Sequence, residues 1–480
     1  MYIYQKKSAV KKHLYSIWTF IIGLALLFTL TTSCQEEEKI EKKNEKEIPS
    51  GEPKYEQYGT PYDNVPVVGD VAMYEVNPKV FSISGDLDGI TGRLKAIKDL
   101  GINVVWLMPI YQTGAEKSVG SPYAIKDYKS ILPEYGDLED LRELVDRAHE
   151  LDMAVILDWV ANHTAWDHSW INEHPTWYTR DNAGNIIIPP GTNWQDVAEL
   201  NYNNSEMRLE MIDAMKYWVL EANVDGFRCD YATGVPYSFW NQAIDTLRNI
   251  PERELIMFAE TDDKQMLING FNLIFGWSFY AGLIDVFDGG LAHKMDDFHT
   301  NEYKNVPVGK HVVRWVTNHD EHAWNATPQD IFGGLRASVS AFVLCSYMGG
   351  VPLVYNGQEV GVSNQLPFFE GTNMTINWSS NTDIQDEYAK LLSFRQSSEV
   401  VRKGEYASIT ENQDVVSFKK TLEGISVYVI VNTRNRIVEF SLPDDLSDNT
   451  FHEIVSEEEV TFGSTVTMGA YEYLILKEKE

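Results

Sequence analysis

From Val65 to about Tyr355 short apolar runs alternate with helical patterns, and no other feature constrains the fold as tightly. The runs VAMYEV, NVVWLMPI, MAVILDWV, VDGFRC, ELIMFAE, HVVRWVT and VPLVY are of strand length, and between them lie stretches such as LEDLRELVDRAHEL and MRLEMIDAMKYWVLEA. Strands that alternate with helices build βαβ units around a parallel sheet. Adding a weaker strand near FNLIFG gives about eight pairs, the count of a (β/α)8 TIM barrel. An open doubly wound sheet is the competing architecture. It fits less well, because GDLDGITG after the first strand lacks the G-x-G-x-x-G spacing of a phosphate-binding turn.

Two stretches break the alternation. Residues 162–207 show no clear periodicity but hold several Trp, His, Pro and Gly residues, and so long an excursion from a strand end reads as an inserted subdomain at about 164–204. After Gly404 the period changes to two in VVSFKK, ISVYVIVNT, IVEFSL and TVTMGAYEYLIL, which predicts a C-terminal antiparallel β-sandwich domain over 401–480. The barrel is assigned to 65–400. No repeat of 20–50 residues is present, which excludes solenoids and propellers.

Composition narrows the function classes. The 480 residues are 44% hydrophobic and 12% aromatic, far from a disordered composition. Forty Lys and Arg against 71 Asp and Glu give a net charge of −31, which repels nucleic acid and anionic lipid and suits a neutral substrate such as a sugar. The three cysteines, Cys34, Cys229 and Cys345, are too few and too scattered for a disulfide framework or a thiolate metal site.

The N-terminus has its own logic. Residues 1–34 run from a basic start (Lys6, Lys7, Lys11, Lys12) through an apolar stretch, Ile17 to Leu30, to Thr31-Thr32-Ser33-Cys34. The stretch is shorter than the ~20 residues of a membrane-spanning helix, so it reads as a secretory signal. The end resembles a bacterial lipobox, which makes Cys34 the lipidation site and the protein an exported outer-membrane lipoprotein on the cell surface or periplasmic face. The charged segment that follows, assigned to 35–64, reads as a solvated flexible tether.

A barrel of this kind works at the C-terminal ends of its strands, so polar residues that terminate apolar runs are the candidates. Asp158, Asn162 and His163 follow the third strand, Arg228 and Asp230 the fourth, Glu260 the fifth, and His319 and Asp320 the seventh. Any one of these has a dull explanation as a helix cap or ion-pair partner. Four converging strand ends with several carboxylates, and neither a reactive thiol nor a phosphate loop, suit glycosidic bond cleavage. Arg228, two residues before Asp230 on a strand, projects to the same side and favours an ionised Asp230 as nucleophile. Glu260 follows LIMFA, and burial there favours it as the proton-carrying acid/base.

The motifs DWVANH, GFRCD, FAE and TNHD, in this order, resemble the four short motifs of glycoside hydrolase family 13, the α-amylase family, and AELN at 198–201 resembles its fifth. The resemblance covers roughly 67–480. It implies a retaining α-glucan hydrolase acting on α-1,4 bonds of starch-derived oligosaccharides, with Asp230 as nucleophile, Glu260 as acid/base and Asp320 as a third carboxylate gripping sugar hydroxyls. It also implies sugar contacts from His163, His319 and Arg228, and a stacked Tyr123 within GSPYAIKDY. Family members that depend on calcium usually carry Lys-His after the nucleophile, where this chain has Tyr231-Ala232, so a calcium cofactor stays open with Asn162 as a candidate ligand. An α-1,6-glucosidase or transglycosylase of the same family is the near alternative, and a non-catalytic glycan-binding lipoprotein the distant one.

Trp159, Trp166, Trp170, Trp177 and Trp194 cluster in and near the excursion; packing explains most of them, and Trp194, close to AELN, is the candidate sugar platform. His149, His168 and His174 match no usual zinc spacing. Cys229 and Cys345 sit in apolar runs and read as small buried hydrophobes.

Overall fold

The computed structural model describes residues 54–369, 374–409, 412–444 and 446–478. The signal, the lipobox with Cys34 and most of the tether lie outside them.

Eight parallel strands close into a barrel: β1 Met73–Val76, β2 Val104–Leu107, β3 Ala154–Trp159, β4 Gly226–Cys229, β5 Ile256–Ala259, β6 Leu273–Phe275, β7 His311–Arg314 and β8 Val351–Tyr355. Each pairs with its neighbour in sequence, and β1 completes the ring by pairing Met73 with Val104 on one side and Leu353 on the other. Closure rules out the open sheet. The strands are buried on both faces, as parallel strands wrapped by helices must be, and this is why they read as continuous apolar runs. The weak sixth strand is real but has three residues, too few for a pattern of its own.

The helices follow from local chemistry. The helix α1, Leu138–Glu150, starts at Asp137, whose carboxylate accepts from the Glu139 and Asp140 amides while Asp140 reaches back to the Asp137 amide. Its Leu141, Leu144, Val145 and Ala148 form the i, i+3, i+4, i+7 stripe that faces the barrel. Gly226 opens β4 at φ 147°, and a Cβ there would stand 2.0 Å from the Ile256 carbonyl oxygen, so only glycine lets β4 lie against β5.

Between β3 and the helix α2, Ser205–Glu221, the excursion forms a ribbon of His163–Ala165 with Val197–Glu199 and a short helix, Trp170–Glu173. Trp170, Trp177 and Tyr178 of this excursion join the barrel's own hydrophobic core. At the other end of the chain, six antiparallel strands lie in the order β9 Glu405–Ser408, β10 Val415–Leu422, β11 Ile425–Asn432, β16 Tyr473–Glu478, β13 Thr450–Glu453 and β14 Glu459–Thr461. The pair β12 Val438–Ser441 and β15 Thr465–Met468 packs on them over a second core that includes Phe440, Phe451 and Met468.

One boundary differs from the sequence expectation. Composition assigns 55–64 to the tether, but this segment lies on the barrel wall. The Tyr58 amide donates to the Leu220 carbonyl at 2.8 Å, the Tyr58 hydroxyl to Asp146 at 2.7 Å, and Tyr62 stacks on His149 at 4.2 Å. Three tyrosines, Tyr55, Tyr58 and Tyr62, supply the apolar area and the hydroxyls that the surrounding charges hide from a composition reading.

Lys420 of β10 is buried, and burial beside Arg395 and Arg314 pushes its ammonium from 10.5 down to about 8. The unfolded chain therefore takes up this proton at higher pH than the folded one. The resulting penalty grows as pH falls from 10.5 to 8 and is fully present below 8. Lys420→Met, which keeps the volume and removes the charge, is expected to stabilise the protein at pH 7 by roughly 2–3 kcal/mol. Thermal unfolding should show that gain shrinking as pH rises from 8 and vanishing above 10.5.

Candidate active site

The strand ends singled out in the sequence meet at the C-terminal mouth of the barrel, and one guanidinium organises them. Arg228, the third residue of β4, is fully buried within the barrel. Its Nη1 donates to Asp158 Oδ1 at 2.8 Å and to Asp230 Oδ1 at 3.1 Å, and its Nη2 lies 2.9 Å from Glu260 Oε2. Those carboxylates close the adjacent strands β3, β4 and β5, so parallel register places them side by side. Glu260 Oε2 also accepts from the Tyr231 amide at 2.7 Å, which leaves Oε1 as the oxygen able to carry a proton. Tyr231 makes that amide available by turning to φ 39° immediately after Asp230.

The sequence reading gave Arg228 to Asp230 alone; the structure divides it among three carboxylates. Both members of the pair consequently stand above the usual carboxylate range. Burial raises Asp230 first and the charge of Glu260 next, against the pull of Arg228. Burial also raises Glu260, again opposed by Arg228, with Asp320 adding to the rise. A pocket with this much negative charge around one cation disfavours ionising Asp230 and Glu260 together.

Tyr123 and His319 form the next layer. The Tyr123 hydroxyl donates to Asp158 Oδ2 at 3.1 Å and lies 2.8 Å from His319 Nε2, and its ring stacks on Phe368 at 5.6 Å. His319 is pushed up to about 9 by Asp320 and Glu75 acting against burial, so it is an imidazolium at neutral pH. His163 is the opposite case: burial pushes it down to about 4 and it is neutral. Asp320, at the end of the seventh strand's extension, is 38% exposed in its side chain, with Oδ1 3.8 Å from His319 Nε2. Trp194 meets His163 edge to face at 5.5 Å and Tyr231 at 5.2 Å, which sets its indole beside the turn that follows Asp230. Trp159, Trp170 and Trp177 are buried in packing roles, and Trp166 carries Lys117 over its ring at 3.2 Å.

The sequence reading missed three residues here. Glu75, buried within β1, pairs with His319 Nδ1; its only signal was a carboxylate inside the apolar run VAMYEV. Trp324, 48% exposed in the turn after Asp320, and Phe368 stand 5.3 Å apart and continue the aromatic wall begun by Tyr123. An exposed indole beside a carboxylate-lined cleft is the kind of surface on which a sugar ring stacks. Asn162, the candidate calcium ligand, is buried with its amide nitrogen 3.3 Å from His163 Nδ1. Among the described residues no group of three or more His, Cys, Asp or Glu is placed to share an ion. Cys229 and Cys345 are buried free thiols whose pKa values burial raises, which leaves neither of them nucleophilic.

A family model for the alpha-amylase catalytic domain matches residues 60–272. The chain is 26% identical over 390 residues to alpha-amylase 2 of Dictyoglomus thermophilum, covering 75% of this chain and 66% of that protein. It is 30% identical over 390 residues to a probable oligo-1,6-glucosidase 2 of Bacillus subtilis, covering 62% and 66%. It thus spans about two thirds of the length of these two relatives. Among solved structures, a noncanonic maltogenic alpha-amylase from Thermotoga neapolitana superposes with a TM-score of 0.77 at 29% identity, covering 86% of this chain and 100% of that one.

Proposed function

We propose that this chain, a member of the α-amylase family of glycoside hydrolases, cleaves α-1,4-glucosidic bonds of starch-derived oligosaccharides with retention of anomeric configuration. The observation that carries the reading is the single Arg228 guanidinium gripping Asp230 and Glu260 from its two ends. Two carboxylates so closely joined suit the roughly 5 Å spacing of a nucleophile and acid/base rather than the wider spacing that admits a water between them.

In the first step Asp230 attacks the anomeric carbon while the proton on Glu260 passes to the glycosidic oxygen, and the C–O bond to the leaving sugar breaks. In the second, Glu260 takes a proton from water, the water oxygen attacks the anomeric carbon, and the ester to Asp230 breaks. The bond between Glu260 Oε2 and the Tyr231 amide orients the acid for both transfers. Asp320 binds ring hydroxyls, the buried imidazolium of His319 supplies positive charge beside it, and Tyr123, Phe368 and Trp194 supply apolar faces. Export and anchoring through a lipidated Cys34, at the outer membrane, complete the proposal; they rest on the pattern of residues 1–34.

The relative named as an oligo-1,6-glucosidase keeps α-1,6 cleavage as a second reading. Maltoheptaose, panose and pullulan offered in parallel separate the two. The proposal expects maltoheptaose to be degraded fastest. Cleavage confined to panose or pullulan would replace it with the α-1,6 reading, and intact substrates throughout would leave the glycan-binding alternative.

A further inference from the structure

A hydrogen-bonded chain crosses the floor of the pocket, and its far end has no role in the chemistry above. It starts at Glu75, which is buried in β1 and bonded through Oε1 to His319 Nδ1. His319 Nε2 meets the Tyr123 hydroxyl at 2.8 Å, that hydroxyl donates to Asp158 Oδ2 at 3.1 Å, and Asp158 Oδ1 accepts from Arg228 at 2.8 Å. Arg228 then reaches Asp230 and Glu260. We propose that Glu75 is a positioning residue that keeps His319 doubly protonated, so that the Tyr123 hydroxyl points its proton at Asp158 and Arg228 stays available to Asp230 and Glu260.

The direction of the chain follows from donor counting. Burial raises the Asp158 carboxyl, and Arg228 at 2.8 Å pulls it back toward the ionised form, in which Oδ2 only accepts; the Tyr123 hydroxyl then spends its proton there, and its oxygen is left to accept from an N–H on His319 Nε2. Glu75 likewise takes an N–H from Nδ1. Both ring nitrogens must therefore carry protons, which is the imidazolium. If the ring loses one while Glu75 stays anionic, Nδ1 keeps its proton and Nε2 becomes an acceptor. The Tyr123 hydroxyl turns toward it, and Asp158 Oδ2 is left with the Trp106 indole N–H at 3.3 Å. Asp158 then draws harder on the guanidinium it shares with Asp230 and Glu260.

The charges around the ring favour the doubly protonated state. Glu75 faces it from β1, Asp158 from β3, Glu260 from β5 and Asp320 from the adjacent backbone position, with Arg228 of β4 as the opposing cation. Trp106 and Phe368 pack on the ring at 5.7 and 5.8 Å and keep water away. The second oxygen of Glu75 is buried without a hydrogen-bond partner, and burial raises its carboxyl against the pull of His319 first and Arg228 next, so His319 is the chief support of its charge.

The inference rests on the glycosidase reading for its kinetic consequence but not for its structural one. The test is the protonation of His319, followed by nitrogen-15 NMR and assigned with a His319→Gln control, beside the pH profile of kcat/KM on maltoheptaose. In the wild-type protein the ring is expected to lose its second proton near pH 9, and kcat/KM to fall with the same midpoint. In Glu75→Gln the ring's midpoint is expected to fall below the wild-type value, because Asp320 alone then opposes burial, and the fall near pH 9 to disappear from the profile. A wild-type midpoint at 6.5 or below would overturn the proposal even if the variant does not fold. So would a midpoint unmoved in Glu75→Gln, or a wild-type profile that stays level through the ring's titration. If no glucan is cleaved, the function falls while the NMR midpoints still decide the role of Glu75.

Discussion

Asp230→Asn is expected to lower kcat by roughly 10,000-fold or more, the scale seen when a covalent nucleophile is removed, and to leave the fold at least as stable as before. The amide cannot form the glycosyl ester, so the first chemical step is lost while binding groups remain. Stability is the less intuitive half. Asp230 is buried beside Glu260 and within the fields of Asp158 and Asp320, and its pKa is raised well above the ordinary carboxylate value. A carboxyl whose folded pKa lies above its unfolded one costs stability once pH exceeds the unfolded value, because the folded state resists giving up the proton. Asparagine removes that cost and still offers an oxygen to Arg228. Kinetics on maltoheptaose together with thermal unfolding at pH 7 check both halves. Near-native turnover would remove Asp230 from the chemistry, and a large drop in melting temperature would contradict the electrostatic account of the pocket.

Arg228→Met is expected to damage folding and activity together. The guanidinium is the shared partner of Asp158, Asp230 and Glu260 and stacks near Trp106 at 5.1 Å. Removing one partner of a buried charge cluster leaves the rest unpaired, at a cost of about 3–5 kcal/mol. The remaining carboxylates would relieve that cost by taking up protons. The destabilisation is therefore expected to be larger at pH 7.5 than at pH 4.5, where unfolding curves of variant and wild type should converge. Arg228→Lys retains the charge but offers a compact ammonium in place of a planar fork, so it cannot serve three carboxylates and should recover stability better than activity. Equal destabilisation at both pH values would mean that Arg228 acts through packing.

How much of this was legible in the sequence depends on chain distance. The barrel was legible because each strand pairs with its successor and is buried on both faces, so the alternation of β1 to β8 is written in consecutive apolar runs. The strand ends that carry Asp158, Arg228, Asp230, Glu260 and Asp320 were legible for the same reason: parallel register brings every C-terminal end to one mouth. What depends on pairs remote in sequence was not. Glu75 and His319 are 244 positions apart, and nothing local to either names the other. Trp324 and Phe368 meet through a turn after β7 and a loop after β8, and neither segment has a period. The sharing of Arg228 is a matter of angle, since a strand pattern says which side a guanidinium faces and not how many carboxylates it reaches. The N-terminal boundary shifted because Tyr55, Tyr58 and Tyr62 anchor a segment whose composition is otherwise that of a tether.

The central claim is that Asp230 and Glu260 act as a retaining pair, and the stereochemistry of the first product formed tests it most directly. Anomer-resolved proton NMR of maltoheptaose hydrolysis by the wild-type chain, recorded before mutarotation mixes the anomers, should show α-anomeric reducing ends first and the β-anomer only later. Initial release of the β-anomer would mean a single displacement by water, and would contradict the roles assigned to Asp230 and Glu260.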